Sequence, residues 1–335
     1  MTERNRLRFG LVGMGMMGRN HARVLASLDG VELVGVADPA GDRFGVAGAA
    51  TVVDSVEQLV ELELDACVVA APTGHHLMTG LTLAAAGVPA LIEKPLATSE
   101  LECVQLVEAF ESTGLVNAVG HIERSNPALR ALRERLAAGE LGEIHQVATR
   151  RQGPFPHRIA DVGVVKDLAT HDIDLTSWVL QSPYARVSAQ TAHKSGRDHE
   201  DLIAITALSE SGIVINHLVN WLSPLKERAT VVTGERGAFV ADTLHGDLHF
   251  HENGQVATQW DQVSSFRGVS EGNSIRFAIP KPEPLRVQHE AFRDAVLGKD
   301  AEIITMREGM ATVRVADACL LSAREGRTIE LRHRG

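Results

Sequence analysis

The stretch Leu7-Arg8-Phe9-Gly10-Leu11-Val12-Gly13-Met14-Gly15-Met16-Met17-Gly18, taken with Asp38 downstream, decides the fold. Residues 7–12 form a short apolar run, and residues 19–28 follow with Ala22, Leu25, Ala26 and Leu28 on one helical stripe. A second apolar run, residues 31–37, ends at Asp38. The pattern G-x-G-x-x-G alone is a weak signal. Set between a strand and a helix, with an acid about 20 residues beyond it at the end of the next strand, it becomes the dinucleotide fingerprint. Gly13 permits the tight turn, Gly15 lets the backbone approach a pyrophosphate, and Gly18 lets the helix pack closely on the strand. The loop, Met16 and Met17 included, leads into a helix N-terminus that offers N–H donors and a favourable field to phosphates. Asp38 would accept hydrogen bonds from ribose hydroxyls and repel a 2′-phosphate. That predicts NAD, with NADP left open by the nearby Arg43. The alternative is a glycine-rich turn with no ligand.

Working outward, short apolar runs at residues 66–71, 88–92 and 115–119 alternate with helical patterns at 77–86 and 99–112. Such alternation is the signature of a parallel sheet with crossover helices, its strands apolar on both faces because both are covered. The first domain is therefore expected over residues 1–123. Beyond it the pattern changes. After a helix near 126–138, β-type segments are expected at 143–150, 186–193, 201–208, 213–221, 228–233 and 238–242. Short turns join them, which favours an antiparallel sheet. A helix at 167–180 interrupts this second domain, residues 124–335, and helices return at 284–297 and 307–324. Residues 264–273 read as an exposed loop. The fold class is α/β.

The chain has 335 residues, enough for roughly two domains. Its 33 basic and 43 acidic residues leave a net charge of −10, which argues against nucleic acid and against anionic membrane surfaces. The three cysteines lie far apart with no C-x-x-C, so neither a disulfide framework nor a zinc ribbon is expected, and a reducing compartment fits. The first residues do not read as a signal peptide, and no run approaches about 18 apolar residues. A cytoplasmic enzyme without a membrane span is the expectation.

Glu93-Lys94-Pro95 follows the expected strand at 88–92, at a carboxyl end where open α/β sheets bind ligands. A lysine there can hold a substrate oxygen or help a proton move, or it can be a solvated loop residue. In the helix at 167–180, about 100° per residue puts Asp167, His171 and Asp174 on one face, with Asp172 pointing elsewhere. A histidine between two carboxylates suits a general base, one acid orienting the imidazole and another binding a substrate hydroxyl. With no second histidine at i+4 the face is a poor zinc site, and no metal is expected. A helix cap with a surface ion pair is the alternative.

Further stretches join these: Pro72-Thr73-Gly74-His75-His76, Gly120-His121-Ile122-Glu123-Arg124-Ser125-Asn126-Pro127 and Ser322-Ala323-Arg324-Glu325-Gly326-Arg327. With the glycine loop, Glu-Lys-Pro and Asp-x-x-x-His, they make the chain similar to the Gfo/Idh/MocA oxidoreductase family over nearly its whole length. The resemblance implies a Rossmann domain followed by a mostly antiparallel α/β domain for substrate binding, whose open sheet mediates a homodimer or homotetramer. It implies an NAD(P)-dependent dehydrogenase acting on CH–OH groups. Lys94 and His171 would flank the carbinol of a sugar or cyclitol with Asp167 beside them, His171 as base and Lys94 on the oxygen. Pro72, Thr73, His76, Glu93 and Lys94 itself would join the glycine loop at the cofactor. A cis peptide between Lys94 and Pro95 would aim the lysine.

The segment Gly153-Pro154-Phe155-Pro156-His157-Arg158, with residues 121–127 and 167–174, looks most like nucleotide-sugar dehydrogenases of the UDP-N-acetylglucosamine 3-dehydrogenase type. Arg124, Arg151 and Arg158 could then meet a substrate phosphate, and Asp174 a hydroxyl; the alternative is that these are ordinary structural residues. Ser125 departs from the aromatic residue that relatives carry there. Tyr184, the one tyrosine, falls in an expected connection, which argues against a catalytic tyrosine. His75, His121, His157 and His193 are further candidates, and alternation places His249 and His251 on one strand face. Three other readings stay open: an inositol or free-sugar dehydrogenase, an NAD-dependent glycosidase that oxidises its sugar transiently, and a non-catalytic NAD-binding regulator.

Overall fold

The apolar runs of the first third of the chain resolve into strands in a computed structural model that describes residues 6–156, 162–254 and 270–331. In chain order they are β1 (Leu7–Val12), α1 (Met16–Leu25), β2 (Val31–Ala37), β3 (Thr51–Val53), α2 (Val56–Val60), β4 (Ala66–Val69), α3 (His76–Ala85), β5 (Ala90–Ile92), α4 (Glu100–Glu111) and β6 (Asn117–Val119). The strands pair in parallel, in the order β3-β2-β1-β4-β5-β6. Alternate side chains explain why each run is apolar throughout. Val12, Val69, Ile92 and Val119 enter one core with Leu83, Leu106 and Phe110 of α3 and α4. Leu11, Val68, Leu91 and Ala118 enter the other, with Ala22 and Leu25 of α1.

Helix starts follow local chemistry. Ser55 and Ser99 cap α2 and α4 by accepting the N–H of Gln58 and Glu102. The start of α1 differs: Gly15 stands at its N-cap, no side chain caps it, and no acid lies in its first turn. α1 also begins at Met16, three residues before the expected 19, because Gly18 is helical. The sequence reading placed Gly18 outside the helix; its close packing on the Gly13 carbonyl overrides glycine's weak helix propensity.

The chain divides into two compact units, and the division departs from the expected 1–123 and 124–335. The first unit joins Met1–Ile122 with Glu283–Arg314, and the second joins Glu123–Pro282 with Val315–Gly335. The returning stretch holds α7 (Pro284–Val296) and the start of α8 (Met306–Glu325). Its apolar residues complete the first unit's cores. Phe292 of α7 packs edge-on against Phe9 of β1 at 5.9 Å, and Met306 and Val313 join the core on the opposite sheet face. The amphipathic pattern of this stretch was visible in the sequence, but not which sheet it would cover.

In the second unit the strands are β7 (Ile144–Pro154), β8 (Tyr184–Ala192), β9 (Leu202–Ser209), β10 (Val214–Asn220), β11 (Leu222–Gly234), β12 (Gly237–Asp242), β13 (Asp247–Gly254), β14 (Ser270–Arg276) and β15 (Ile329–Glu330). Their order is β14-β13-β12-β11-β7-β10-β9-β8-β15, antiparallel except for the β7–β10 pair. The expected loop at 264–273 is corrected in part: Ser270–Arg276 pairs with β13, and the rest lies outside the described residues. One sheet face packs on α5 (Pro127–Ala137) and α6 (Thr170–Leu180), with Val147, Val232 and Phe239 meeting Leu129, Leu132 and Leu175. The opposite face carries the partly polar row Gln146, Asn216 and Thr206, hydrogen-bonded in sequence, beside the exposed Val214 and Leu218. Among the described residues no helix is long and apolar enough to cross a membrane.

Candidate active site

In the first unit the candidate residues lie at the carboxyl ends of β1, β2, β4 and β5, around the point where strand order reverses between β1 and β4. Gly13 turns the chain at φ 90°, and a Cβ there would stand 2.8 Å from the Ala70 backbone. A Cβ on Gly18 would stand 1.9 Å from the Gly13 carbonyl oxygen, so both positions exclude side chains. Gly15 is different: a Cβ there would meet nothing within 4 Å. That open space, beside an uncapped helix start, fits a pyrophosphate. Asp38 accepts the N–H groups of Met14 at 2.7 Å and Ala40 at 2.8 Å, one on each oxygen. Each oxygen keeps a second lone pair for a ribose hydroxyl. Met16 is exposed and Met17 half-buried at the first turn, while Arg43 is exposed. The residues present fit a bound dinucleotide.

Pro72 and Thr73 stand at the surface after β4, and His75 is exposed. His76 does not line that surface as expected. It is buried, with Nδ1 3.0 Å from the Pro95 oxygen and Nε2 2.9 Å from the Ala71 oxygen, so it braces the Glu-Lys-Pro turn from within. Burial pushes its pKa below the ordinary imidazole value. Glu93 is likewise corrected from a cofactor contact to an internal one: its buried carboxylate accepts the Lys94 N–H at 3.2 Å and lies 3.0 Å from His21 Nε2. Lys94 is half-buried and its bond to Pro95 is cis.

In the second unit, the helix containing Asp167 and His171 opens with a wider π-turn, Val165–Ala169, before α6. Such turns recur at functional sites. Glu200 holds its start, accepting the Val165 N–H at 3.0 Å against Gly163, where no Cβ fits. Asp167, Asp172 and Asp174 are buried, whereas His171 remains partly exposed.

The arginines expected at a substrate phosphate are committed elsewhere. Arg124 grips Asp174 with two bonds, 2.9 Å from Nε and 2.6 Å from Nη2. Arg151 is buried between Asp172 at 3.0 Å and Glu123 at 2.8 Å. Burial opposes its charge, but the two carboxylates outweigh that and hold its pKa above the ordinary value. Burial pushes the Asp172 carboxyl upward against the pull of Arg151. Arg124 and Arg151, expected at a substrate phosphate, and Asp174, expected at a hydroxyl, are thus engaged here in ion pairs within the unit. Arg158 and His157 lie outside the described residues. Tyr184 opens β8 rather than a connection. It is buried with its hydroxyl 2.8 Å from His217, whose other ring nitrogen meets Thr149 at 2.7 Å. His121 is buried and His193 exposed, while His249 and His251 do share a face, their rings stacked at 6.3 Å.

Two contacts escaped the sequence reading, those of His21 and His289. The signal for His21 was its place on the stripe of α1 with Ala22 and Leu25, one turn past Gly18.

A parallel sheet of this order, with an open glycine loop and an acid on the next strand, is a dinucleotide-binding domain. The comparisons agree. A family model described as "Oxidoreductase family, NAD-binding Rossmann fold" matches residues 7–121, and one described as "GFO/IDH/MocA C-terminal domain" matches residues 129–240. The chain belongs to the Gfo/Idh/MocA family. It is 31% identical to the UDP-N-acetylglucosamine 3-dehydrogenase of Acidithiobacillus ferrooxidans, covering 94% of this chain and 95% of that one. A solved structure of that enzyme from the same organism, GnnA, superposes with a TM-score of 0.84 at 26% identity, over 96% of this chain and 98% of the other. Inositol 2-dehydrogenase 2 of Saccharopolyspora erythraea is 27% identical over 96% of this chain and 94% of its own. A structure of GenD2 from gentamicin A biosynthesis, in complex with NAD, matches with a TM-score of 0.81 at 26% identity, over 98% and 97% of the two chains.

Proposed function

We propose that the protein oxidises a secondary hydroxyl of a sugar or nucleotide sugar, with His171 as base and Lys94 on the substrate oxygen. One observation carries the assignment of the base: of the titratable residues in 167–174, the three aspartates are buried and His171 alone keeps access to solvent. Arg151 pairs with Asp172 and Arg124 with Asp174, and in this reading Asp167 orients the imidazole. His171 takes the hydroxyl proton as the carbinol carbon gives up its hydride, leaving a ketone. Bound NAD supplies the acceptor for that hydride at nicotinamide C4. Lys94 steadies the oxygen as its charge develops. Gly13, Gly15, Met16, Met17 and Gly18 hold the pyrophosphate, Asp38 the adenosine ribose, and Pro72 and Thr73 the neighbouring surface.

UDP-N-acetylglucosamine is the first substrate to test, because a dehydrogenase of that name is 31% identical over 94% of the chain. Inositol is the second, by the likeness to inositol 2-dehydrogenase. The test is a panel of UDP-N-acetylglucosamine, UDP-glucose, inositol, glucose and aryl glycosides with NAD, following NADH and aglycone together. NADH formed with one alcohol, and lost by a factor of about 10²–10⁴ in His171→Ala and Lys94→Met, is the expected result. Aglycone released without NADH would replace the dehydrogenase by a glycosidase. NAD binding with no turnover, unchanged in both variants, would leave a regulator. The exposed outer face of the nine-stranded sheet, with Val214, Leu218, Leu222 and Leu225 at its surface, is where we expect a second copy to pack. Light scattering of the purified protein checks that.

A further inference from the structure

Three titratable side chains from distant parts of the chain meet inside the first unit. His21 lies on α1, Glu93 precedes Lys94, and His289 lies on α7. His21 Nε2 is 3.0 Å from Glu93 Oε1, and His21 Nδ1 is 2.8 Å from His289 Nε2. The two rings are fully buried and cross at 88°. His289 Nδ1 is buried without a hydrogen-bond partner.

The direction of the bonds follows from that orphan atom. Burial drives the His289 pKa well below the ordinary imidazole value, so the ring is neutral and carries one N–H. A buried N–H without an acceptor is a rarer and costlier defect than a buried lone pair. The His289 proton therefore sits on Nε2 and is donated to His21 Nδ1. His21 is left to donate from Nε2 to Glu93. The other Glu93 oxygen accepts the Lys94 N–H at 3.2 Å. Every donor in the chain points at one carboxylate. That carboxylate is wedged against Gly120, where a Cβ would stand 2.7 Å from Oε1.

We propose that His21 and His289 are positioning residues for Lys94, acting through Glu93 as a one-directional hydrogen-bond chain. This rests on the reading of Lys94 as the residue that holds the substrate oxygen. The carboxylate that anchors the Lys94 backbone has its rotamer set by a histidine almost two hundred residues further along the chain.

Two measurements test it. In protein labelled with ¹⁵N in the histidine rings, two-bond nitrogen–proton spectra should show the proton of His289 on Nε2 and that of His21 on Nε2. An Nδ1–H on His289, or a proton on His21 Nδ1, would overturn the chain. This needs no substrate. The second compares His289→Gln, whose amide nitrogen can replace the Nε2 donor, with His289→Leu and Lys94→Met. The assay uses NAD with UDP-N-acetylglucosamine, or inositol if that is what the enzyme turns over. His289→Leu should lower kcat about tenfold or more with KM for NAD little changed, and His289→Gln should recover most of it, although both melt earlier. Equal kcat losses in the two variants, following their melting temperatures, would mean that His289 is merely structural. Lys94→Met with full turnover would instead remove the reading of Lys94 itself.

Discussion

Removing the Asp174 carboxylate separates a framework ion pair from a substrate contact. Asp174 is 1% exposed and Arg124 11%, and the guanidinium occupies both carboxylate oxygens. In Asp174→Asn the buried cation faces a neutral amide. Breaking such a pair from one side costs about 3–5 kcal/mol, because the remaining charge stays desolvated. In a unit of this size each kcal/mol moves the melting temperature by about 2–4 °C, so Asp174→Asn should melt about 6–20 °C early. The assay is calorimetry or circular dichroism of the protein without ligand, beside steady-state kinetics. Replacing both partners by apolar residues, Arg124→Met with Asp174→Leu, should recover much of the loss, since no charge is then left buried. If Asp174→Asn melts within about 2 °C of the parent while the sugar KM rises tenfold or more, the carboxylate is a substrate contact and the framework argument fails.

Gly15→Ala should leave the melting temperature unchanged, because its Cβ meets nothing within 4 Å, yet weaken NAD binding about tenfold or more in titration calorimetry. Gly18→Ala should do the reverse and destabilise by about 1–3 kcal/mol, since its Cβ would stand 1.9 Å from the Gly13 oxygen. Burial, with a smaller push from the Arg151 charge, lowers the His217 pKa to about 3. The unfolded chain therefore takes up a proton there below about pH 6.5 and the folded chain does not, so stability falls as pH drops, by about 1.4 kcal/mol per unit. His217→Gln should make urea-derived stability between pH 6 and 4 shallower by that slope; an unchanged slope would mean that the buried ring already binds the proton. Asp38→Ser should raise kcat/KM with NADP relative to NAD, and no shift in that ratio would mean that Asp38 does not face the ribose.

The parallel sheet was legible because each strand is apolar on both faces and each crossover helix has its own stripe. The place of Asp38 at the end of β2 was legible because the fingerprint is local: glycine loop, helix and acid follow one another in sequence. β3 was not, since three residues hold no period. The commitments of Arg124 and Arg151 were not legible either. Residue type marks them as partners for anions but not whether the anion is a substrate or an aspartate, and their partners lie 50 and 21 residues further along the chain. The same limit hid Glu93. Its place in a recognisable triplet pointed to the ligand, while the histidine that holds it sits on another element. The π-turn before His171 left no periodic signal, because it shifts helical phase by a fraction of one turn.

The return of Glu283–Arg314 to the first unit has a consequence for synthesis. A ribosome finishes Met1–Ile122 early, but that segment emerges without Phe292, whose ring caps Phe9, and without Met306, whose N–H is held by Asn117 Oδ1. Nascent β1 and β6 wait with apolar surface uncovered while all of Glu123–Pro282 is made. The nucleotide-binding half is thus first begun and among the last completed. A gene fragment ending near residue 123 would encode an unfinished sheet, and a chain cut short before residue 289 would carry Lys94 on a turn whose supporting histidine had not yet been made.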